Sequence, residues 1–172
     1  MNVPRTTLSL LSVSCIVLFA LSPAIAQQHM EQRGITRTTK APAEIYKELY
    51  VKRYAVVVGI NKYPKATGKF QTLKAAVNDA RHIAAKLQAL NYEVLTLLDE
   101  QATKTAILST LGDQVGQKAK ENDLVMFFFA GHGDSDGEGL EQMGFILPFD
   151  YDSANPYSSS IAMTDLQNIA KR

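Results

Sequence analysis

From residue 53 onward the spacing of apolar and polar positions changes repeatedly, and each change marks an element. Tyr54-Ala55-Val56-Val57-Val58-Gly59-Ile60 is a continuous, largely β-branched run and predicts a strand buried on both faces. Leu73, Ala76, Val77, Ala80, Ile83, Ala84, Leu87 and Leu90 recur at helical spacing, with Lys74, Asp79, Arg81, Lys86 and Gln88 mostly off the stripe, so 73–90 predicts a helix. Residues 93–98 predict a second strand. Residues 103–119 predict a second helix with Ile107, Leu108, Leu111 and Val115 on one face, and 123–130 a third strand that is apolar on both sides. A short extended piece follows at 144–148, and Thr164 with Gln167 reads as a capping box opening a last helix. The βαβαβ order implies an α/β fold: a mainly parallel sheet, flanked by helices and joined by right-handed crossovers.

Ahead of this domain lie two segments of different character. Arg5, the apolar run from Leu8 to Leu21 and the small-residue box Ala24-Ile25-Ala26 predict a signal peptide over 1–26, cleaved before Gln27, and an exported protein. The run is shorter than the roughly 20 residues of a membrane span, so no membrane attachment is expected after cleavage. Ser12-Val13-Ser14-Cys15 is a poor match to a lipid-attachment box. Residues 27–52 form a polar leader, at first without apolar period, in which Arg33, Arg37 and Lys40 are basic residues open to processing and a solvated tether is the simpler reading. The domain itself runs over 53–172.

Composition narrows the function classes. A hydrophobic share of 46% is ordinary for a globular domain and too high for a disordered chain. A net charge of +1 lacks the basic footprint of a nucleic-acid binder. Signal cleavage removes Arg5 and no acid, which leaves the remainder neutral. The one cysteine, Cys15, cannot build a disulfide framework or a Cys-rich zinc site, and it leaves with the signal segment.

The candidate chemistry gathers where the third strand runs into Gly131-His132-Gly133-Asp134. In parallel α/β sheets ligands bind beyond the carboxyl ends of the strands. Flanking glycines are expected to leave the His132 ring accessible and to let backbone amides approach a bound group, and imidazole suits proton transfer near neutral pH. His82, on a helix flank, and His29, in the leader, read as surface residues. An α/β-hydrolase oxyanion loop would need a nucleophile elbow between a strand and a helix, and the Gly-x-Ser-x-Gly string here, Gly133 to Gly137, lies in the acidic loop directly after His132 and opens no helical pattern. His132, Asp134, Asp136, Glu138 and Glu141 could offer oxygen-rich ligation to calcium, but without EF-hand spacing, and an acidic solvated loop accounts for them more simply. Phosphate cradling fails: no Gly-Lys-Ser/Thr follows, and the acids would repel the ligand. A thiol peptidase stays open, with His132 taking the proton of a cysteine supplied from another strand.

An ordered set of segments resembles one family. Tyr54 to Ile60 followed by Asn61-x-Tyr63, Leu73 with Ala76-Val77-Asn78-Asp79-Ala80, Phe128-Phe129-Ala130-Gly131-His132-Gly133, Phe145-Ile146-Leu147-Pro148-x-Asp150, and Ile161 to Leu166 together look like the large-subunit half of the caspase-like cysteine peptidases (family C14), nearest to the bacterial metacaspase or orthocaspase branch. The resemblance implies a cysteine endopeptidase of caspase-hemoglobinase fold acting on peptide or protein substrates. His132 would be the general base and acid, and an amide near Gly133 would stabilise the oxyanion. Asp79 would be the substrate-pocket acid that favours Lys or Arg before the cut, with Lys69 near it in sequence. Asp165 alone stands where calcium-activated members carry an acidic cluster, so no calcium, other metal or cofactor is expected. The nucleophilic cysteine of such peptidases follows the histidine by roughly 50 residues, past Arg172. The chain therefore reads as a fragment, inactive alone and short of a C-terminal half. The other reading is a non-catalytic binding or regulatory protein that keeps the cleft. Without a further strand, the edge of Leu124-Val125-Met126-Phe127-Phe128-Phe129, free of charge and proline, is expected to stand bare.

Overall fold

The computed structural model describes residues 49–136 and 142–171 and, as backbone, residues 15–21. Glu138 and Glu141 of the acidic loop, His29, the expected leader up to residue 48, and the expected signal segment apart from 15–21 lie outside the described residues. In chain order the elements are β1 (Cys15–Leu21), β2 (Arg53–Gly59), α1 (Ala76–Ala89), β3 (Glu93–Leu98), α2 (Lys104–Ser109), a π-helical stretch (Thr110–Val115), α3 (Gly116–Lys118), β4 (Leu124–Gly131), β5 (Gly133–Asp136), β6 (Met143–Ile146), α4 (Pro156–Ser159), β7 (Ile161–Ala162) and α5 (Met163–Ala170).

β2, β3 and β4 form the parallel heart of the sheet, in the order β1-β4-β2-β3. Successive side chains of a strand alternate between faces, and the core divides accordingly. Val56, Val58, Phe127 and Phe129 pack with Ile107, Leu111, Val115 and Leu166 on one face. Ala55, Val57, Phe128 and Ala130 pack with Ala76, Ala80, Ala84 and Leu87 of α1 on the other. The chain steps from β2 outward to β3 and then back across to β4, so two right-handed crossovers put their helices on opposite faces. Fully burying each large apolar side chain contributes about 1.5–3 kcal/mol, which is why these uninterrupted runs become central strands. The alanine stripe brings α1 close to the sheet at Gly59. A Cβ there would stand 2.5 Å from Ala80 Cβ and 2.8 Å from the Ala76 carbonyl.

The helices and caps differ in detail from the sequence pattern. The predicted helix over 103–119 is one helical rod in place, but its middle is wound as a π-turn. Ile107, Leu111 and Val115 recur every four residues, a stripe that drifts off one side of a 3.6-residue helix; the wider turn, at Gly112, keeps it over the sheet. The expected capping box fails: α5 begins at Met163, Ala162 is its N-cap, and no side chain caps it. Thr164 thus lies inside the first turn, where Asp165 faces the positive helix end. Asp123 is not the first residue of its strand but a buried clasp, whose carboxylate accepts the Lys52 N–H at 2.9 Å and the Lys120 N–H at 3.0 Å.

The outer edge of β4 is not bare, contrary to expectation. Cys15–Leu21 pairs with it antiparallel along seven residues, from Cys15 opposite Gly131 to Leu21 opposite Val125. The correction has a simple cause: an apolar strand edge recruits the nearest apolar β-former, and the chain carries one in its own N-terminal run. Among the described residues no helix is long and apolar enough to cross a membrane.

Candidate active site

β2 and β4 are neighbours whose following segments leave toward opposite faces of the sheet, and such a switch point opens a crevice at the strands' carboxyl ends. Two segments meet there: the loop after β2, residues 60–73, and His132 directly after β4. Asn61 knits that loop to its surroundings. Its N–H donates to Asp99 Oδ1 at 2.7 Å, its side-chain oxygen accepts the Val77 N–H at the start of α1, and its carbonyl accepts the Leu73 N–H at 2.8 Å. Asp99 also takes the Lys62 N–H at 3.1 Å, from a left-handed conformation (φ 43°) that Asp tolerates better than most residues.

His132 is only 5% exposed, so the sequence expectation of an accessible ring is corrected. The flanking glycine serves a different purpose. Tyr63 reaches over Gly131 and its hydroxyl accepts the His132 backbone N–H at 2.7 Å; a Cβ on Gly131 would lie 2.5 Å from that oxygen and 2.7 Å from Phe129 Cζ. The imidazole packs against the rings of Tyr63 (centroids 4.9 Å apart) and Phe70 (5.6 Å, edge-on). Its Nε2 lies 2.6 Å from the carbonyl oxygen of Gln71. A carbonyl only accepts, so Nε2 carries the proton and donates, and in the neutral ring Nδ1 is left with the lone pair. Burial pushes the Tyr63 phenol well above its ordinary value and the charge of Asp99 adds to this, against the opposing effect of the His132 bond, so Tyr63 stays a neutral acceptor.

Gly133 opens β5 opposite Ile146. The Leu147 N–H donates to the His132 carbonyl at 3.0 Å, which makes Gly133–Ile146 a non-hydrogen-bonded pair of the antiparallel ladder. The Gly133 N–H therefore points away from β6. Close by in sequence, a cavity of about 300 Å³ has walls that include Asp134, Asp136, Phe145, Tyr151 and Tyr157. Asp134 is ion-paired with Lys69 at 2.7 Å, and Lys69 also lies over the Phe70 ring. Burial, and secondarily the charge of Asp134, raises the Tyr151 phenol above its usual range.

Asp79 is exposed in the first turn of α1. Because α1 begins over the end of β2 and β2 runs parallel to β4, Asp79 is on the same end of the sheet as His132. Lys69, its neighbour in sequence, is turned to Asp134 instead. His82 is exposed, as expected of a surface histidine. Of the acidic residues that follow His132, Asp134 is committed to Lys69, and the described residues contain no group of three or more His, Cys, Asp or Glu placed to hold a metal. Asp150 has a structural post: its carboxylate accepts the Lys104 N–H at 2.8 Å and caps α2 beside Thr103. Sequence reasoning missed Gln71, Phe70 and Asp99. Gln71 acts through its main chain and leaves no residue-type signal; Tyr63 was visible only as a motif letter without a role.

A mainly parallel α/β sheet with a tethered histidine at its switch point defines the class of protein. The model of the caspase domain, peptidase family C14, matches residues 52–171, and the chain belongs to that family of cysteine peptidases. Among solved structures it is similar to protein GSU0716 from Geobacter sulfurreducens, a structural genomics target, at 22% identity and a TM-score of 0.57. That likeness, which is one of fold, covers 69% of this chain and 44% of the other, so the chain spans less than half the length of that relative. No curated protein matches it.

Proposed function

We propose that the chain carries the histidine half of a Cys-His endopeptidase site and that His132 is its general base and acid. The observation that carries this reading is the bond from His132 Nε2 to the Gln71 carbonyl at 2.6 Å. It fixes the tautomer whose Nδ1 can accept a thiol proton. The resulting thiolate attacks the scissile carbonyl, and the oxyanion meets the Gly133 N–H, which its ladder leaves aimed away from β6. His132 then returns the proton to the departing amine, and in the second half deprotonates the water that releases the acyl group.

Asp79, at the same end of the sheet, is the proposed acid for a Lys or Arg side chain before the cut, through a charge-assisted hydrogen bond. Residues 133–172 contain no cysteine, and Cys15 belongs to the proposed export signal. In this reading the thiol comes from further polypeptide, contiguous or separate, and the protein works after export. One observation favours the alternative of a non-catalytic binding or regulatory protein: the edge of β4, beside which the family's cysteine-bearing strand pairs, is taken by β1.

The test is hydrolysis of fluorogenic peptides ending in Lys, Arg or Asp. The 172-residue chain alone is expected to be inert. The product of the continued reading frame, or the chain with its thiol-bearing partner, is expected to cleave after Lys or Arg, to lose turnover in His132→Ala and to lose the basic preference in Asp79→Ala. Equal cleavage by Asp79→Ala and wild type rejects the pocket assignment. Turnover by the 172-residue chain that vanishes in Cys15→Ser overturns the external-thiol part. A frame that stops with no cysteine-bearing strand turns the reading to the binding protein.

A further inference from the structure

We propose that the outer edge of β4 is a strand-acceptor site and that the N-terminal apolar segment Cys15–Leu21 is its resident occupant, closing that edge to any other strand while the segment remains on the chain. The inference is independent of the peptidase reading. It starts from the main-chain hydrogen bonds of β4. The Leu124 N–H donates to Lys52, and the Ala130 carbonyl accepts the Ile60 N–H, so even-numbered residues of β4 turn their polar groups toward β2. With a period of two, Val125, Phe127, Phe129 and Gly131 turn theirs outward. Those four stand opposite Leu21, Phe19, Val17 and Cys15. They are therefore the hydrogen-bonded pairs of the antiparallel ladder, and each exchanges two bonds with the N-terminal segment.

Three further observations fit one occupant rather than a chance contact. The register is unbroken over seven residues and covers all of β4 but Leu124. β4 between Leu124 and Phe129 has none of the charges, prolines or bulges by which edges are normally protected, so it needs a cover. The connection is also easy. β1 ends opposite Val125 while β2 begins opposite Leu124, two strand spacings or about 10 Å apart. Residues 22–52 reach roughly 100 Å when extended. Removal of the segment by export processing would thus do more than release the protein. It would open a full-length strand template at the edge of the sheet nearest His132.

Residue-resolved amide exchange on the full 172-residue chain tests this, because the two halves of β4's amides answer differently. In the wild type all seven amides from Val125 to Gly131 should be protected. Val17→Pro/Phe19→Pro removes two donors of the ladder. It should speed exchange at Val125, Phe127, Phe129 and Gly131 by about tenfold or more, and leave Met126, Phe128 and Ala130 unchanged. Leu18→Pro lacks a donor that faces outward and should have a clearly smaller effect. The proposal is overturned if the odd-numbered amides of the wild type exchange as freely as those of an open edge, or if the double variant leaves them protected. Equal acceleration of both sets also overturns it, since the edge would then not open separately from the sheet.

Discussion

Replacing Tyr63 with Phe tests the assembly of the histidine site, because the variant removes one oxygen and keeps the ring. That oxygen is the acceptor of the His132 N–H at 2.7 Å, inside a cluster where both residues are buried. Leaving a buried donor without an acceptor costs about 1–3 kcal/mol. The ring contact with His132 survives the change, so the loss should stay in that range rather than reach that of a cavity. For a domain of this size 1 kcal/mol corresponds to roughly 3–6 °C, so Tm should fall by roughly 3–18 °C. Urea melts should show a lower midpoint with an unchanged slope, the sign of a stability change without a change in compactness. The geometry also predicts coupling. Gly131→Ala puts a Cβ 2.5 Å from the Tyr63 oxygen and 2.7 Å from Phe129 Cζ, an overpacking worth about 1–3 kcal/mol. Tyr63→Phe relieves the first clash and not the second. The double variant should therefore be more stable than the sum of the two single losses by at least about 0.5 kcal/mol. A Tyr63→Phe protein within about 0.5 kcal/mol of wild type, or strict additivity with Gly131→Ala, would refute the reasoning.

Other expectations follow from the same contacts. The Tyr63 phenol is held above its ordinary pKa of 10.0, so its contribution to stability is complete below pH 10 and is lost as pH rises beyond it. Alkaline unfolding curves should be shallower in Tyr63→Phe, and identical curves would contradict this. Nitrogen chemical shifts of neutral His132 should report a protonated Nε2; a protonated Nδ1 would remove the basis for its proposed role as base. Asp123→Ala should cost about 2–4 kcal/mol by chemical denaturation, since two buried N–H groups lose a charged acceptor, with Asp123→Asn in between. Gly59→Ala should be at least as damaging, because Ala80 Cβ at 2.5 Å and the Ala76 carbonyl at 2.8 Å leave no room, and a neutral outcome would mean that α1 can retreat from the sheet.

The parallel sheet was legible in the sequence because its strands are buried on both faces. Val56–Val58 and Phe127–Phe129 leave no polar side to confuse the period, and β3 begins and ends where its pattern says, at Glu93 and Leu98. His132 was legible for a related reason: a ring flanked by glycines at the end of such a strand is hard to explain by packing alone. The burial of that ring is not legible in the same way. Glycine removes local crowding, but Tyr63 and Phe70 arrive from 69 and 62 positions earlier in the chain, and no local pattern reports what long-range packing will bring over a residue. The same limit hid Asp99, whose carboxylate matters only because β3 ends beside the loop that follows β2. The apolar run at the N-terminus was read by its export pattern, and the same residues are also competent β-formers, so its pairing with β4 depended on a vacant edge rather than on the run itself.

The group that sets the His132 tautomer is a main-chain carbonyl. Every residue type at position 71 supplies that oxygen, so exchange of the Gln71 side chain cannot delete it. The tether is instead a property of where the loop lies. Leu73 bound to Asn61, Thr67 bound to Ser153 and Lys69 bound to Asp134 together hold it there. Loosening those distant fastenings is expected to release the imidazole from its carbonyl without any change at His132 itself. The ring of His132 is thus insensitive to the residue type at its own contact and answerable to the surface of the protein.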